Sequence, residues 1–553
     1  RLRKWERKEG TSSEDGMVTM RRAVVALALL LSLYCSQADD PKPKKAKEEA
    51  KKLGPVSSAK SILFGPGLNP RIVTPARYIY IQAVDNAGTN FTSSPPGDTI
   101  FSIDARMKRP GADEWHQVKA EVHNLGDGCF QVFYIFHIQP EKLIMVIRGP
   151  DGGLVGGQRV IFEWPEFEAC YCPTKNEEDF AEQYNCKAEE MQLEADLAKF
   201  PVITKDLVTR AKEALLDKNS CFVHYVIKNN RVHGKAYGIY QGFKKYIDEI
   251  LVSLARRVRI PDVEFVFNLG DWPQANLTAE GLPVLSWCGS NDTDDIIVPT
   301  YKATLSTVFG KDLENVNEVD ARCYQQGGWK SKINKLFWRG RDSNAVRSHF
   351  VDEIASQNKK YIDADISKNH FNYYPTEQDR ANDKRLQAGK KVERVRFEEY
   401  WRFKYLLNID GTVAAYRLPA LLAGDSLVLR QESKWYEHFY AELEPFVHYV
   451  PVKEDLSDVM KQLHWARNHD KRSQSITRNA RQFARARLGP DQIYCYYFRA
   501  LQRYNQNMDY EPEIPPGYEE EKQQLPECKC SKKKKRDKSK KKKKKKGEVA
   551  ANA

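Results

Sequence analysis

The sequence predicts a multidomain chain: an immunoglobulin-like β-sandwich near the N-terminus, then an α/β region of two Rossmann-like domains. Three observations predict it. Between residues 57 and 165, short runs of β-branched and aromatic residues recur with turn residues between them. From 201 to 505, amphipathic stretches alternate with short apolar runs. The 553 residues are also too many for a single core.

In the first region, Tyr78 to Val84, Thr99 to Ala105, Gln117 to Val122, Cys129 to Phe136, Leu143 to Ile147 and Arg159 to Phe162 read as strands. Val118 to Val122 alternates strictly between apolar and polar, the period of a half-buried strand. Gly126-Asp127-Gly128 marks a turn, and GPDGGLVGG separates the last two strands. Residues 166–200 are acidic, carry cysteines and read as a connector with some helix.

Charge is uneven. The formal net charge is +13, but residues 531–553 hold 13 Lys/Arg against Asp537 and Glu548. Residues 1–38 hold seven basic and four acidic side chains, so 39–530 is close to neutral. A near-neutral body argues against nucleic acid as a partner, because such binding needs a basic surface. Residues 506–553 read as a disordered, lysine-rich tail, either simply solvated or binding anionic surfaces.

The N-terminal segment sets the expected compartment. Arg21 and Arg22 precede the apolar run Ala23 to Tyr34, with Ser36 and Ala38 spaced as a signal-peptidase site. Residues 1–38 are therefore read as an upstream extension plus signal peptide, and 39–56 as a charged linker. No later run suggests a transmembrane segment. Removing Cys35 leaves ten cysteines, an even number, which suits disulfides in an oxidising lumen. Cys170-Tyr-Cys172 and Cys528-Lys-Cys530 are read as disulfide halves, since zinc partners at regular spacing are missing. Asn90, Asn276 and Asn291 begin glycosylation sequons.

In the second region, Ile247, Ile250, Leu251 and Leu254 lie on one face of a helix ending near Arg257. Val263 to Leu269 reads as a buried strand. Tyr405 to Ile409, a helical stretch to Leu422, and Ser426 to Leu429 read as βαβ, which predicts a parallel sheet. Ligands of such sheets bind beyond the carboxyl ends of the strands. Three stretches put polar residues there. Asp271 leaves the strand at 263–269 and suits a general base, or simply a turn cap. Arg339-Gly-Arg341-Asp-Ser343 leads into a helix from Asn344 carrying Arg347, an arrangement that favours phosphate or is a surface arginine cluster. Gly411-Thr412-Val413-Ala414-Ala415-Tyr416-Arg417 lets backbone approach a ligand closely, with Arg417 a turn into a helix, or it is close helix–sheet packing. One carboxylate and an arginine-rich phosphate cradle suit a nucleotide-sugar transferase of GT-B type, in which arginines stabilise the leaving diphosphate and no metal is obligatory. Asp292-Thr-Asp294 and Asp363-Ala-Asp365 match the metal-holding D-x-D pattern and are read as chance.

PDVEFVFNLGDWP (261–273), FWRGRDS (337–343), FKYLLNIDGTVAAYRLP (403–419), GDSLVLRQ (424–431) and YEHFYAELEPFVHYVPV (436–452) resemble the protein O-glucosyltransferases with a CAP-type catalytic domain. More closely, it resembles their KDEL motif-containing members. GPGL near Gly65 and GDGCFQVFYIF resemble a filamin-type repeat, which those members join to the catalytic domain. The resemblance implies an inverting transfer of glucose from UDP-glucose to serine of EGF-like repeats, in Notch-type receptors and extracellular matrix proteins. It implies Asp271 as base. It implies donor contacts from Arg341, Arg347, Arg417 and the stretch Thr412 to Arg417, with no metal and no other cofactor. It also implies an acceptor-binding loop near 233–245.

Two departures bear on this expectation. The chain closes on GEVAANA rather than a KDEL-type signal, so secretion stands beside residence in the endoplasmic reticulum lumen. Residues 312–334, which normally line the donor sugar, match poorly, so UDP-xylose stands beside UDP-glucose. The non-enzymatic alternative is a lumenal client-binding protein.

Overall fold

The computed structural model describes residues 53–522 except 72–76, 97–99, 137, 139, 164, 166–172, 219, 275–280, 310–315, 324–327 and 368–394. The expected signal peptide, most of the linker, Cys170, Cys172, Asn276, Cys528, Cys530 and the lysine run lie outside the described residues.

Eight strands build two antiparallel sheets. They are β1 (Ile62–Phe64), β2 (Arg77–Gln82), β3 (Ser102–Lys108), β4 (Trp115–Gln117), β5 (Lys119–Asn124), β6 (Cys129–Ile135), β7 (Lys142–Arg148) and β8 (Val160–Glu163). One sheet has the order β1-β2-β6-β5, the other β4-β3-β7-β8. Period-2 alternation sends Ile79, Ile81, Phe130 and Val132 from one sheet, and Leu143, Met145 and Ile147 from the other, into one core. The β5–β6 turn needs its glycines. Gly126 and Gly128 both have positive φ, and a Cβ on Gly128 would lie 1.9 Å from the Phe91 carbonyl oxygen.

The residues read as a connector with some helix hold two helices that pack into the core of the second region. α1 (Glu177–Tyr184) and α2 (Met191–Leu197) bury Phe180, Tyr184, Leu193 and Leu197 in the same core as α3 (Lys205–Asp217) and α4 (Lys244–Ala255). Those apolar residues are sparse among acidic ones, which is why the sequence reads as a linker. The Cys186–Cys495 disulfide ties this part to α9 (Pro490–Asn507). Cys129, Cys221, Cys288 and Cys323 are free thiols, so the expected even pairing does not extend to these four.

The sheet on this core is mixed: β9 (Phe222–Lys228), β10 (Arg231–Tyr237), β11 (Val263–Asn268), β12 (Val284–Ser286), β14 (Ile296–Ile297) and β21 (Glu519–Glu520), in the order β14-β12-β11-β9-β10-β21. It departs from the parallel layout of a Rossmann-like domain, in part because Asn229 and Asn230, both left-handed, close a tight β9–β10 hairpin. The other sheet is wholly parallel, in the order β16-β15-β17-β18-β20. Its strands are β15 (Ile333–Gly340), β16 (Ile362–Ile366), β17 (Phe403–Asn408), β18 (Leu427–Gln431) and β20 (Val450–Val452). Leu336, Trp338, Tyr405 and Leu407 pack on one face and Phe337, Leu406 and Val428 on the other, so both faces are covered. β13 (Gly289–Ser290) pairs with β19 (Trp435–Tyr436) and bridges the two sheets. Among the described residues no helix is long and apolar enough to cross a membrane.

The segment after α9 corrects the expectation of a tail disordered from 506. Residues 508–522 return across the mixed sheet, where β21 pairs antiparallel with β10.

Candidate active site

β11 is buried along its whole length and ends on Asn268. The Asn268 side chain then shapes the turn beyond the strand. Its Oδ1 accepts from the Gly270 amide at 2.8 Å, and its Nδ2 donates to the Trp272 carbonyl at 2.6 Å and to Ser286 Oγ at 3.2 Å. Asp271 is held at the tip of this turn. Its side chain reaches solvent, yet the surrounding walls desolvate the carboxyl and push its pKa up. Among the described residues no cation opposes that shift, which leaves a carboxylate suited to taking a proton.

The segment 410–417 follows β17. Val413, Ala414 and Ala415 turn their side chains inward and are buried, so backbone is what they offer a ligand; Thr412 is half-buried. Tyr416 Oη lies 3.4 Å from the Asp271 carbonyl oxygen, and Tyr416 packs edge-on to Tyr301. Trp272 meets Trp435 at 5.4 Å between ring centres. The carboxylate turn and the 412–417 segment therefore come together, although about 140 residues separate them in sequence.

The expected arginines are placed differently from one another. α6 (Ala345–His349) is capped by Asn344, whose Oδ1 accepts from the Arg347 amide at 3.0 Å. Arg347 is buried. Its guanidinium donates to the carbonyls of Asp410 (2.5 Å), Ile409 (2.8 Å) and Arg341 (3.1 Å) and to Ser343 Oγ (2.8 Å). It is therefore chiefly a clamp on the 409–411 backbone. Burial, then the nearby Arg417 charge, pushes its pKa down to about 9. Arg417 sits at the N-cap of α7 (Leu418–Ala423), not inside the helix, because the chain stays irregular through Tyr416. Its Nη1 donates to the Arg339 carbonyl at 2.6 Å. Arg341 is exposed at the mouth of the loop. Two guanidinium groups whose fields oppose each other form a place that an anion relieves.

Two buried acids here carry no sequence signal. Asp410, beside Arg347, is pushed up to about 6 by burial, against hydrogen bonds from Ser433 and the Ala415 amide. It thus helps shape the 410–415 loop. Glu437 is fully buried, and burial pushes it up to about 8 against a hydrogen bond from Tyr440 and the charge of Arg430. The burial that distinguishes both acids comes from residues distant in the chain, so no local pattern marks them. Three of the four D-x-D carboxylates are separately paired, Asp292 with Lys434, Asp294 with Lys199 and Asp363 with Arg339, while Asp365 Oδ1 accepts from the Ile366 amide at 2.8 Å.

The crystal structure of the Lin-41 filamin domain matches 20% of this chain and 94% of its own, at 15% identity; its TM-score of 0.14 is too low to carry the filamin type. Protein O-glucosyltransferase 2 of Danio rerio is 36% identical over 482 residues, 86% of this chain and 93% of that protein. Protein O-glucosyltransferase 3 of Homo sapiens is 36% identical over 473 residues, covering 84% and 90% respectively. Protein O-glucosyltransferase 1 of Homo sapiens is 28% identical over 346 residues, covering 61% and 84%. The model of glycosyl transferase family 90 matches residues 181–551, a span that takes in Asp271, the arginines and the 412–417 segment. The chain belongs to glycosyl transferase family 90.

Proposed function

We propose that this protein is an inverting, metal-independent protein O-glucosyltransferase that moves glucose from UDP-glucose to serine of EGF-like repeats. The observation that carries the reading is the junction of Asp271 with the 412–417 segment. A desolvated, accessible carboxylate there adjoins the segment that ends on Arg417.

Asp271 takes the proton of the serine hydroxyl as its oxygen attacks the anomeric carbon. The bond to UDP breaks, the diphosphate leaves with the electron pair, and the configuration inverts. Arg417 and the exposed Arg341 meet the diphosphate charge, while Arg347 keeps the backbone of 409–411 in register. Pairing of three of the four D-x-D carboxylates with Lys and Arg supports a reaction without a metal. Two α/β layers joined through β13–β19 support a GT-B-type layout, and the two-sheet N-terminal unit supports a filamin-type repeat. The Cys186–Cys495 disulfide and the exposed sequon residues Asn90 and Asn291 support residence in the endoplasmic reticulum lumen, or secretion. Acceptors are then EGF-like repeats of Notch-type receptors and extracellular matrix proteins.

The test is transfer by purified protein to a folded EGF-like repeat, with UDP-glucose and UDP-xylose compared and EDTA present. A hexose mass added to serine, resistant to chelator, is the expected result. Pentose addition alone would move the donor to UDP-xylose, and no addition from either donor would overturn the reading.

A further inference from the structure

Next to Asp271 the molecule exposes a short loop, Gly238 to Phe243. Ile239 and Tyr240 are 76% and 74% exposed, which is high for large apolar side chains. The loop is fastened to the base turn through Cys221. The Tyr240 amide lies 3.2 Å from Cys221 Sγ, and the Cys221 carbonyl accepts from the Leu269 amide two residues before Asp271. At its far end Phe243 packs on Trp287 and Tyr301.

Both ends of this loop are held by the returning C-terminal segment. β10 runs into the loop, and β21 pairs with it at His233–Glu520 and Gly234–Glu519. The Glu521 amide donates to the Val232 carbonyl at 2.8 Å. Tyr518 Oη lies 2.6 Å from His224 Nδ1 and 3.3 Å from the hydroxyl of Tyr237, the last residue of β10. On the other side the loop ends at Lys244, the first residue of α4. The Lys244 ammonium is clasped by Glu521 Oε1 at 2.5 Å and by Asp248 at 2.9 Å. Gly234 makes room for the arrangement, since a Cβ there would lie 2.9 Å from the Tyr225 ring and 3.4 Å from Glu521 Oε1.

We propose that residues 518–521 are a positioning strap for the acceptor. By pairing with β10 and clasping Lys244, they hold the Gly238–Phe243 loop at the height where its exposed apolar tip steers a folded acceptor onto Asp271. The inference rests on the function proposed above. The strap touches neither Asp271 nor the arginine cradle, so it acts on acceptor binding and leaves donor use alone. Glu521 and Tyr518 are positioning residues, not catalytic ones.

The experiment uses the full chain and its Glu521→Gln and Tyr518→Phe variants, both nearly isosteric. KM for a folded EGF-like repeat, KM for UDP-glucose, and acceptor-free UDP release are measured in each, with hydrogen exchange of the 238–243 amides. The expected result is an acceptor KM raised roughly 3- to 10-fold, below the ~100-fold that a misplacement of about 1 Å can cost. Donor KM and UDP release stay at wild-type values, and exchange across 238–243 is faster. An unmoved acceptor KM in both variants would overturn the inference. So would a parallel loss of donor use, which would mark a merely structural role. A wild type that transfers nothing to the repeat would sink the proposed function and this inference together. A transferring wild type with indifferent variants would sink the inference alone.

Discussion

At the scale of single residues, burial without compensation is the recurring device. Asp271 is the useful case. Its carboxyl is raised by desolvation alone, and a base works only when deprotonated, so kcat/KM rises with pH through its pKa. The acid limb of the pH–rate profile is therefore expected above the ordinary aspartate value of about 3.9. Asp271→Asn is expected to lower kcat by about 100- to 10,000-fold while UDP-glucose still binds, measured by transfer and by titration calorimetry. Unchanged transfer would remove it from the chemistry. Glu437 makes a different prediction. Its folded pKa of about 8 lies well above the unfolded value near 4.3, so the folded state binds the extra proton. Its contribution is full below about pH 4.3 and is lost as pH rises towards 8. Glu437→Gln keeps the shape and removes the titration. Its melting temperature, compared with that of the wild type, is expected to gain steadily between about pH 5 and 8. A constant difference across that range would show that Glu437 is paired.

At the scale of elements, the function depends on the loops that leave the strands. Those after β11, β15 and β17 carry the site, and each is held by a polar side chain: Asn268, Asn344 and Arg347. The two arginines should separate experimentally. Arg347→Met strands three backbone carbonyls and is expected to cost about 3 kcal/mol of stability, along with donor binding. Arg417→Gln is expected to raise the UDP-glucose KM roughly 10-fold, the effect of one charge-assisted hydrogen bond, with little change in melting temperature. If the two swapped phenotypes, the clamp and the donor contact would have been assigned to the wrong residues. The strands and their terminal polar residues are legible in the sequence, because apolar runs bounded by glycine have few alternatives. The tight β9–β10 turn has a local signal too, the pair Asn229-Asn230, and it changes half of the α/β region from parallel to mixed. The helices at 177–197 and the strap at 518–521 are hidden for another reason. Their stabilising partners lie up to about 300 residues away, so local composition describes them as a connector and a tail.

At the scale of the molecule, the β-sandwich is not a pendant module. The Gly126-Asp127-Gly128 turn, legible as a turn but not as a contact, meets α8 (Asp470–Arg487). Arg485 pairs with Asp127 at 2.9 Å, and Arg481 donates to the Leu125 carbonyl at 2.8 Å. Both arginines also engage Asp320 of α5 (Val316–Cys323). All four side chains are buried, so the network is costly to break from one side. Burial would raise the Asp127 carboxyl, but Arg485 and Arg481 outweigh it and hold it below its ordinary value. A depressed carboxyl stabilises above its unfolded pKa and loses that contribution as pH falls through the folded one. The wild-type chain is therefore expected to unfold in one calorimetric transition near neutral pH. Asp127→Ala leaves Arg485 short of a counter-charge at the junction and is expected to cost about 3 kcal/mol. It should split the transition in two, as the sandwich and the transferase region lose their shared reason to melt together. Acid below the folded pKa of Asp127, itself lower than the ordinary value of about 3.9, should produce the same split in the wild type, whereas salt should not, because a buried pair is little screened. A single transition in Asp127→Ala at neutral pH would mean that apolar contact alone joins the two parts, and that the charged junction is dispensable.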